Sequence, residues 1–128
     1  MKLLLDTCAF LWFQADSPHL SRTARAHIMD PANEVYLSAV SVWEIARKYA
    51  RGGISLPSHP STLIPAVREE SGIASLSLTE TDALAAEKLQ LFHRDPFDRM
   101  LIAQALMGGL AIVTPDRAFE PYPARVIW

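Results

Sequence analysis

Residues 95–113 read DPFDRMLIAQALMGGLAIV and predict a helix followed closely by a strand. The aspartate at position 95 suits an N-cap, the proline at 96 suits the first helical position, and a second acid follows at 98. The next residues are apolar on almost every side, which predicts a buried helix. Gly108-Gly109 ends that helix, and Leu110 to Val113 forms the strand. A buried helix that leads into a buried strand is typical of an α/β domain.

The same alternation of strands and helices extends towards both ends of the chain. Further strands are predicted from short apolar runs at Lys2 to Asp6, Val35 to Ala39, Ile73 to Leu78 and, at an edge, Arg125 to Trp128. Further helices are predicted at Thr7 to Gln14, Ser21 to Met29, Pro60 to Glu70, from an N-cap at Ser41 to about Arg51, and from Thr79 to about Phe92. This order predicts a central parallel sheet of four to five strands, covered by helices on both faces.

The composition predicts a single globular domain, residues 1–128, in a reducing compartment. Half of the residues are hydrophobic and 20% are charged, unlike the composition of disordered chains. The single cysteine, Cys8, excludes an internal disulfide and suits the cytoplasm. The first apolar run stops at Asp6, too early for a secretory signal, and no stretch approaches the roughly 20 apolar residues that span a bilayer. The net charge of −2 provides no overall positive field, so any nucleic acid must be held locally.

Four acids map to the carboxyl ends of the predicted strands, where such a sheet binds its ligands. They are Asp6 at the end of the first strand, Glu44 in the first turn of the helix that follows the second strand, Asp98 in the first turn of the buried helix, and Asp116 after the strand that ends at Val113. Carboxylates this close repel one another unless a cation neutralises them, and oxygen ligands suit Mg²⁺ or Mn²⁺. Such an ion activates water and stabilises charge on a phosphate, so the acids predict metal-dependent phosphodiester hydrolysis.

Acids at helix starts are often only caps that interact with the helix dipole, and each candidate is open to that reading. Asp95 is assigned this structural role, because Asp-Pro is a good helix opening. Asp98 and Glu44, taken alone, fit either reading, and Asp116 fits a turn. Asp6 is harder to explain structurally, because an acid that closes an apolar strand has no cap to make unless it serves the next helix.

Four segments match, in order, the motifs of a known family. They are Leu4-Leu5-Asp6-Thr7 with Leu11-Trp12, Ser41-Val42-Trp43-Glu44-Ile45-Ala46 with Lys48, the stretch from His93 to Ala105, and Val113-Thr114-Pro115-Asp116 with Phe119. In these segments the chain resembles the PIN domain, and more narrowly the VapC toxins of type II toxin–antitoxin pairs. The resemblance covers nearly the whole chain.

This resemblance implies a PIN-like three-layer α/β/α fold and an Mg²⁺- or Mn²⁺-dependent endoribonuclease. It implies catalytic and metal-binding roles for Asp6, Glu44, Asp98 and Asp116, with Thr7 and Thr114 as hydroxyls close to the metal or water. It also implies RNA as substrate, a homodimer, and inhibition by a cognate antitoxin whose tail enters the active-site groove.

Basic and aromatic side chains near these motifs have both structural and functional interpretations. Arg99 is expected to bind a phosphate of the substrate or to form a structural ion pair. For Arg47, Lys48 and Arg51 a solvated helix face is favoured over RNA binding. Core packing is favoured over base stacking for Trp12, Trp43 and Phe97. His19, His27, His59 and His93 lack ligand spacing and are assigned as structural or surface residues.

Three other functions stay open at this stage. A phosphatase that uses Asp6 as nucleophile usually wants a second acid two residues later, where this chain has Cys8. A non-catalytic module that binds RNA or a partner protein is expected to lose acids, whereas this chain keeps four. A DNA-directed or flap-directed nuclease uses the same metal chemistry, because only contacts to the 2′-hydroxyl distinguish RNA from DNA.

Overall fold

The structure, a computed structural model, describes residues 1–128 and contains one five-stranded sheet. Its strands are β1 (Lys2–Leu5), β2 (Glu34–Ser38), β3 (Ile73–Leu76), β4 (Ala111–Val113) and β5 (Val126–Ile127). Its helices are α1 (Thr7–Gln14), α2 (Arg22–Met29), α3 (Ala39–Ala50), α4 (Pro60–Ser71), α5 (Glu80–Lys88) and α6 (Pro96–Gly108), with a short 3₁₀ turn at Arg117–Phe119. The strand order is β3-β2-β1-β4-β5, and all four neighbouring pairs are parallel. None of the helices combines the length and the apolar character that a membrane span requires.

The central strand β1 sends its side chains into two separate apolar clusters, because successive residues of a strand face opposite sides of the sheet. Leu3 and Leu5 lie in the larger cluster, which includes residues of α1, α2 and α4. Leu4 lies in the smaller cluster, which includes residues of α6. All three leucines are completely buried. The predicted fold class, a parallel sheet between two helical layers, is therefore confirmed, and the unbroken apolar sequence of β1 reflects burial on both faces.

The predicted start of α3 is wrong by three residues. The helix begins at Ala39, directly after β2, and the Ser38 hydroxyl caps it by accepting a hydrogen bond from the Val40 N–H at 3.1 Å. Ser41, the predicted cap, is completely buried inside the helix. This earlier start moves Glu44 from the first turn of α3 to the second.

A buried side-chain network joins the end of β2 to α6. The Ser38 hydroxyl donates to Oε1 of Gln104 at 2.6 Å, and Nε2 of Gln104 donates to the Ser77 carbonyl at 3.1 Å and to Asp82 at 3.3 Å. Ser38 and Gln104 are both buried, so their polar groups gain from being paired in this way. The network fixes the position of α6 relative to the point where α3 begins.

Arg99 holds the connection between α5 and α6. Helix α5 ends at Lys88, before the predicted end near Phe92, because Leu89 adopts an extended backbone. The Arg99 guanidinium donates to the hydroxyl of Tyr122 and to four carbonyls, those of Ala86, Leu89, Gln90 and His93.

Both interpretations that the sequence suggested for Arg99 disagree with these contacts. Arg99 is only 8% exposed, and its partners are uncharged carbonyls and a phenol rather than a carboxylate. Its N–H groups are therefore used inside the protein, where they cap the carbonyls at the end of α5. Arg99 stabilises the fold and is placed neither to bind a substrate phosphate nor to form an ion pair.

Replacing Arg99 by methionine should lower the free energy of unfolding by about 3 kcal/mol, because several buried carbonyls lose their donor at once. Urea denaturation measures this change. Arg94→Met is the matched control on the same connection, since Arg94 is exposed, and it should change the stability by no more than about 0.5 kcal/mol. Equal effects of the two substitutions would contradict the role given to Arg99.

Candidate active site

The carboxyl ends of β1, β2 and β4 meet at one edge of the sheet, because the three strands are neighbours and parallel. Asp6 directly follows β1, and its N–H donates to the carbonyl of Val113 at the end of β4. Glu44 reaches this edge from α3, and Asp98 reaches it from the first turn of α6. The chain folds so that residues far apart in sequence share this edge.

A cleft of about 320 Å³ opens at this edge and contains all four predicted acids. Asp95, which the sequence suggested only as a helix cap, lines the cleft as well. It also makes the expected cap, since its Oδ1 accepts from the Phe97 N–H at 2.9 Å. The lining is completed mainly by Thr7, Cys8, Lys48, Leu11 and Pro115.

Asp6 is buried and both of its carboxylate oxygens accept hydrogen bonds. Oδ1 accepts from the Ala9 N–H at 2.7 Å, so Asp6 caps α1, and Oδ2 accepts from the Thr114 hydroxyl at 2.5 Å. Burial raises the pKa of Asp6 to about 6 despite these two bonds, and the charges of Asp98 and Asp116 raise it further. This carboxylate is therefore costly to ionise in the protein as it stands.

Glu44 is held by two different groups. Its Oε1 accepts from the Thr7 hydroxyl at 2.7 Å, and its Oε2 forms an ion pair with Lys48, one helical turn further along α3, at 2.9 Å. Lys48 belongs to the wall of the cleft, and its side chain is 48% exposed, so it is solvated, as the sequence suggested, and also faces the acids. It is the one lysine in a lining that otherwise carries negative charge.

Asp98 is partly buried and contacts a histidine. Its Oδ2 lies 2.7 Å from Nε2 of His93. Burial raises the pKa of Asp98 to about 6, and the negative charge of Asp95 adds to this, whereas the contact with His93 acts in the opposite direction. Unlike Asp6, Asp98 does not act as a cap in this structure.

Asp116 is exposed and is linked to Asp6 through Thr114. Its Oδ1 accepts from the Ala118 N–H at 2.9 Å, which caps the short 3₁₀ turn. Its own N–H donates to the Thr114 hydroxyl at 3.1 Å, and that hydroxyl in turn donates to Asp6. Thr114 thus fixes the position of one acid against the other.

A group of three potential metal ligands includes His93, which the sequence analysis assigned as a structural or surface residue. His93, Asp98 and Asp116 each offer one ligand atom, and these three atoms lie within 4.8 Å of one another. Asp6 and Glu44 line the same cleft but fall outside this group. His93 is not spaced along the sequence from other potential ligands as metal ligands usually are. The only sequence feature that points to it is its place at the start of the family motif that runs from His93 to Ala105.

The arrangement offers oxygen ligands for a hard cation and lacks an activated nucleophile. Burial raises the pKa of the Cys8 thiol to about 11, so the thiol stays protonated near neutral pH, whereas the reactive form is the thiolate. Both oxygens of Asp6 are engaged in hydrogen bonds, which disfavours the phosphatase mechanism with Asp6 as nucleophile. The carboxylates, of which only Glu44 is paired with a lysine, suit Mg²⁺ or Mn²⁺.

Known proteins resemble this chain in sequence and in fold. The family model for the PIN domain matches residues 3–124. A relative named Ribonuclease VapC22, from Mycobacterium tuberculosis (strain ATCC 25618 / H37Rv), is 28% identical over 121 residues, which cover 94% of this chain and 91% of that protein.

Two solved structures share the fold at lower sequence identity. One is VapBC2 from Rickettsia felis bound to a DNA fragment from their promoter, with a TM-score of 0.71, 12% identity, and coverage of 98% of this chain and 97% of the other. The second is DNA-bound VapBC from Salmonella typhimurium, with a TM-score of 0.67, 20% identity, and coverage of 98% and 96%. The family match over residues 3–124 confirms the resemblance seen in the four motifs, and the chain belongs to the PIN domain family.

Proposed function

We propose that this chain is an Mg²⁺- or Mn²⁺-dependent endoribonuclease that hydrolyses RNA phosphodiesters at the acidic cleft. The observation that carries the proposal is that Asp6, Glu44, Asp98 and Asp116 line one cleft of a PIN domain protein. Acids that cap helices have no reason to gather in this way, and repulsion disfavours it unless a cation is bound. Residues 1–128 act as one nuclease domain in this proposal.

The donor set of the cleft fits a hard divalent cation. Lys48 pairs with Glu44 and His93 contacts Asp98, whereas Asp6 and Asp116 form no ion pair. We propose that Asp6, Glu44, Asp98 and Asp116 would hold the ion, and that Asp98 and Asp116, whose ligand atoms lie within 4.8 Å of each other, would contribute most to its binding. His93 keeps the Asp98 carboxylate in its orientation through the 2.7 Å contact.

The chemistry that a divalent cation supplies in such a site is a water of lowered pKa and stabilisation of charge on the phosphate and the leaving oxygen. The hydroxyls of Thr7 and Thr114 fix the carboxylates of Glu44 and Asp6, so the negative charges keep their positions before substrate arrives. Lys48 can contact a phosphate once the acid beside it is engaged elsewhere. The mechanism uses no covalent nucleophile.

We further propose that the chain is the toxin of a toxin–antitoxin pair. The relative named Ribonuclease VapC22 supports RNA as the substrate, and the VapBC structures support a cognate antitoxin as the partner. A homodimer and a cytoplasmic location belong to the same proposal, and the free thiol of Cys8 agrees with a reducing compartment.

The purified protein should cleave single-stranded or loop RNA in the presence of Mg²⁺ or Mn²⁺, and EDTA should abolish the cleavage, because no cation is then present to activate water or to stabilise charge on the phosphate. Gel analysis of a labelled oligonucleotide measures this, and adding excess Mg²⁺ should restore activity. The same sequence as DNA is the matched control for the sugar. Cleavage at full rate in EDTA would remove the metal from the mechanism.

Asp98→Asn should reduce RNA cleavage by roughly 100-fold or more and leave the circular dichroism spectrum unchanged, since it removes a ligand charge without removing a cap. Asp95→Asn is the control, because it removes a charge from the same cleft but keeps an oxygen that can cap α6. We expect it to retain most activity and mainly to weaken the helix, by about 1 kcal/mol or less. The reverse result would mean that the wrong acid has been assigned.

The metal-free protein should lose stability as the pH rises from about 4 to about 7. Between about pH 4 and pH 6 the folded state keeps most of the Asp6 proton, because the pKa of Asp6 is about 6 there, whereas the unfolded state has released it, because its pKa is near 3.8. Stability from this proton is therefore full below pH 4 and disappears above pH 6, a change of about 3 kcal/mol at most.

Asp6→Asn isolates that contribution. In EDTA, the unfolding free energy of the wild type should fall relative to that of the variant as the pH rises from 4 to 7. Adding Mg²⁺ at pH 7 should stabilise the wild type more than the variant. A difference between the two proteins that does not vary with pH would contradict the raised pKa of Asp6.

A further inference from the structure

Trp43 lies on the surface, although the sequence favoured a place in the core. The residue is 58% exposed, which is unusual for the amino acid with the largest apolar side chain. Phe97, at the start of α6, packs edge-on against it, with ring centroids 5.2 Å apart and an angle of 77° between the planes. This contact fixes the indole while leaving much of it accessible to solvent.

Arg47 completes a small group with these two rings. Its guanidinium lies 5.2 Å from the centroid of the Trp43 ring and 5.7 Å from that of Phe97. It forms no ion pair with any carboxylate of the chain. The group therefore combines an exposed aromatic ring with a positive charge that has no counter-ion.

This group borders the acidic cleft on two sides. On α3, Trp43 and Arg47 are neighbours one helical turn apart. They lie directly beside Glu44 and Lys48, which are also one turn apart and line the cleft. On α6, Phe97 directly precedes Asp98. A polymer that places one phosphate in the cleft can thus reach Trp43 with an adjacent nucleotide.

We propose that Trp43, Arg47 and Phe97 form a nucleotide subsite, in which a base of single-stranded RNA stacks on Trp43 while Arg47 contacts the phosphate beside it. The inference rests on the proposed nuclease function and adds to it the residues that position the strand. An exposed aromatic ring stacks on any unpaired base, and a guanidinium pairs with a phosphate in a geometry suited to both groups. The subsite selects unpaired nucleotides, because a base within a duplex cannot stack on a side chain.

The charge of Arg47 favours a nucleic acid over a protein surface at this position. An apolar protein face laid on Trp43 would bury the unpaired guanidinium without a partner, which is costly. A phosphodiester chain brings the anion with the base. The subsite also supplies a local positive charge to a chain whose net charge is −2.

Trp43→Ala tests the subsite in cleavage of a single-stranded RNA oligonucleotide with Mg²⁺. Loss of one stacked base should lower kcat/KM about tenfold, mainly through KM, and Trp43→Phe should recover most of the loss. Leu84→Ala is the matched control, since Leu84 is 67% exposed on α5, outside this group, and it should leave kcat/KM unchanged.

Abasic nucleotides identify the stacked position. Each position beside the cleavage site is made abasic in turn. At one position the missing base should lower kcat/KM of the wild type about tenfold and leave kcat/KM of Trp43→Ala almost unchanged, because the missing base and the missing indole remove the same contact. If every abasic substitution affects the two proteins equally, the inference is wrong. The competing explanation is that Trp43 belongs to a protein interface, and sedimentation of both proteins tests it. If Trp43→Ala loses an oligomeric state of the wild type but responds to the abasic substitutions as the wild type does, Trp43 belongs to an interface and the inference is wrong.

Binding separates failure of this inference from failure of the proposed function. An oligonucleotide in which a methylene group replaces the leaving oxygen of the scissile phosphate keeps the negative charge but cannot be hydrolysed, and fluorescence anisotropy in Mg²⁺ measures its affinity. If the wild type cleaves no RNA but binds this probe about tenfold more tightly than Trp43→Ala, the nuclease function fails and the subsite stands. If the wild type cleaves RNA and both proteins bind the probe equally, the subsite alone fails.

Discussion

Mutual repulsion among carboxylates at the carboxyl edge of the sheet is the constraint around which this protein is organised. Five carboxylates line one cleft, and Lys48 is the one lysine that forms an ion pair with any of them: Asp6, Glu44, Asp95, Asp98 and Asp116. Burial is the main cause that raises the pKa values of Asp6 and Asp98, both to about 6, and the charges of neighbouring carboxylates raise both pKa values as well. A bound ligand of opposite charge relieves this repulsion, and carboxylate oxygens are the ligands that a hard divalent cation prefers.

The same acids also carry structural duties, so the structural and functional readings are not exclusive. Asp6, Asp95 and Asp116 each cap a helix or turn with one carboxylate oxygen, and backbone N–H groups therefore hold these side chains in place. Glu44 and Asp98 make no cap and are held instead by Thr7 and Lys48, and by His93. Negative charge is positioned here by local folding, before any ligand is present. This preorganisation is what a site for phosphate chemistry needs.

The fold was predictable because its signals are local. Apolar strands such as β1, helix openings such as Asp95-Pro96, and paired glycines after α6 each report on a few neighbouring residues. Parallel strands then require that acids at their ends share an edge, so the four carboxylates could be predicted to converge. The start of α3 was misjudged because Ser38 and Ser41 both suit a cap, and the choice depends on Gln104, which lies 66 residues further along the chain. The ring of His93, the contacts of Arg99 and the exposure of Trp43 likewise depend on packing between elements, which no short window of sequence contains.

Crystals grown with Mn²⁺ provide the most direct test of the central claim that the cleft holds a divalent cation. Anomalous diffraction should reveal an ion about 2.1 Å from carboxylate oxygens of Asp98 and Asp116, with Asp6 or Glu44 contributing directly or through water. An anomalous map at millimolar Mn²⁺ that shows the cleft without an ion, or the ion bound at another surface, would contradict the account.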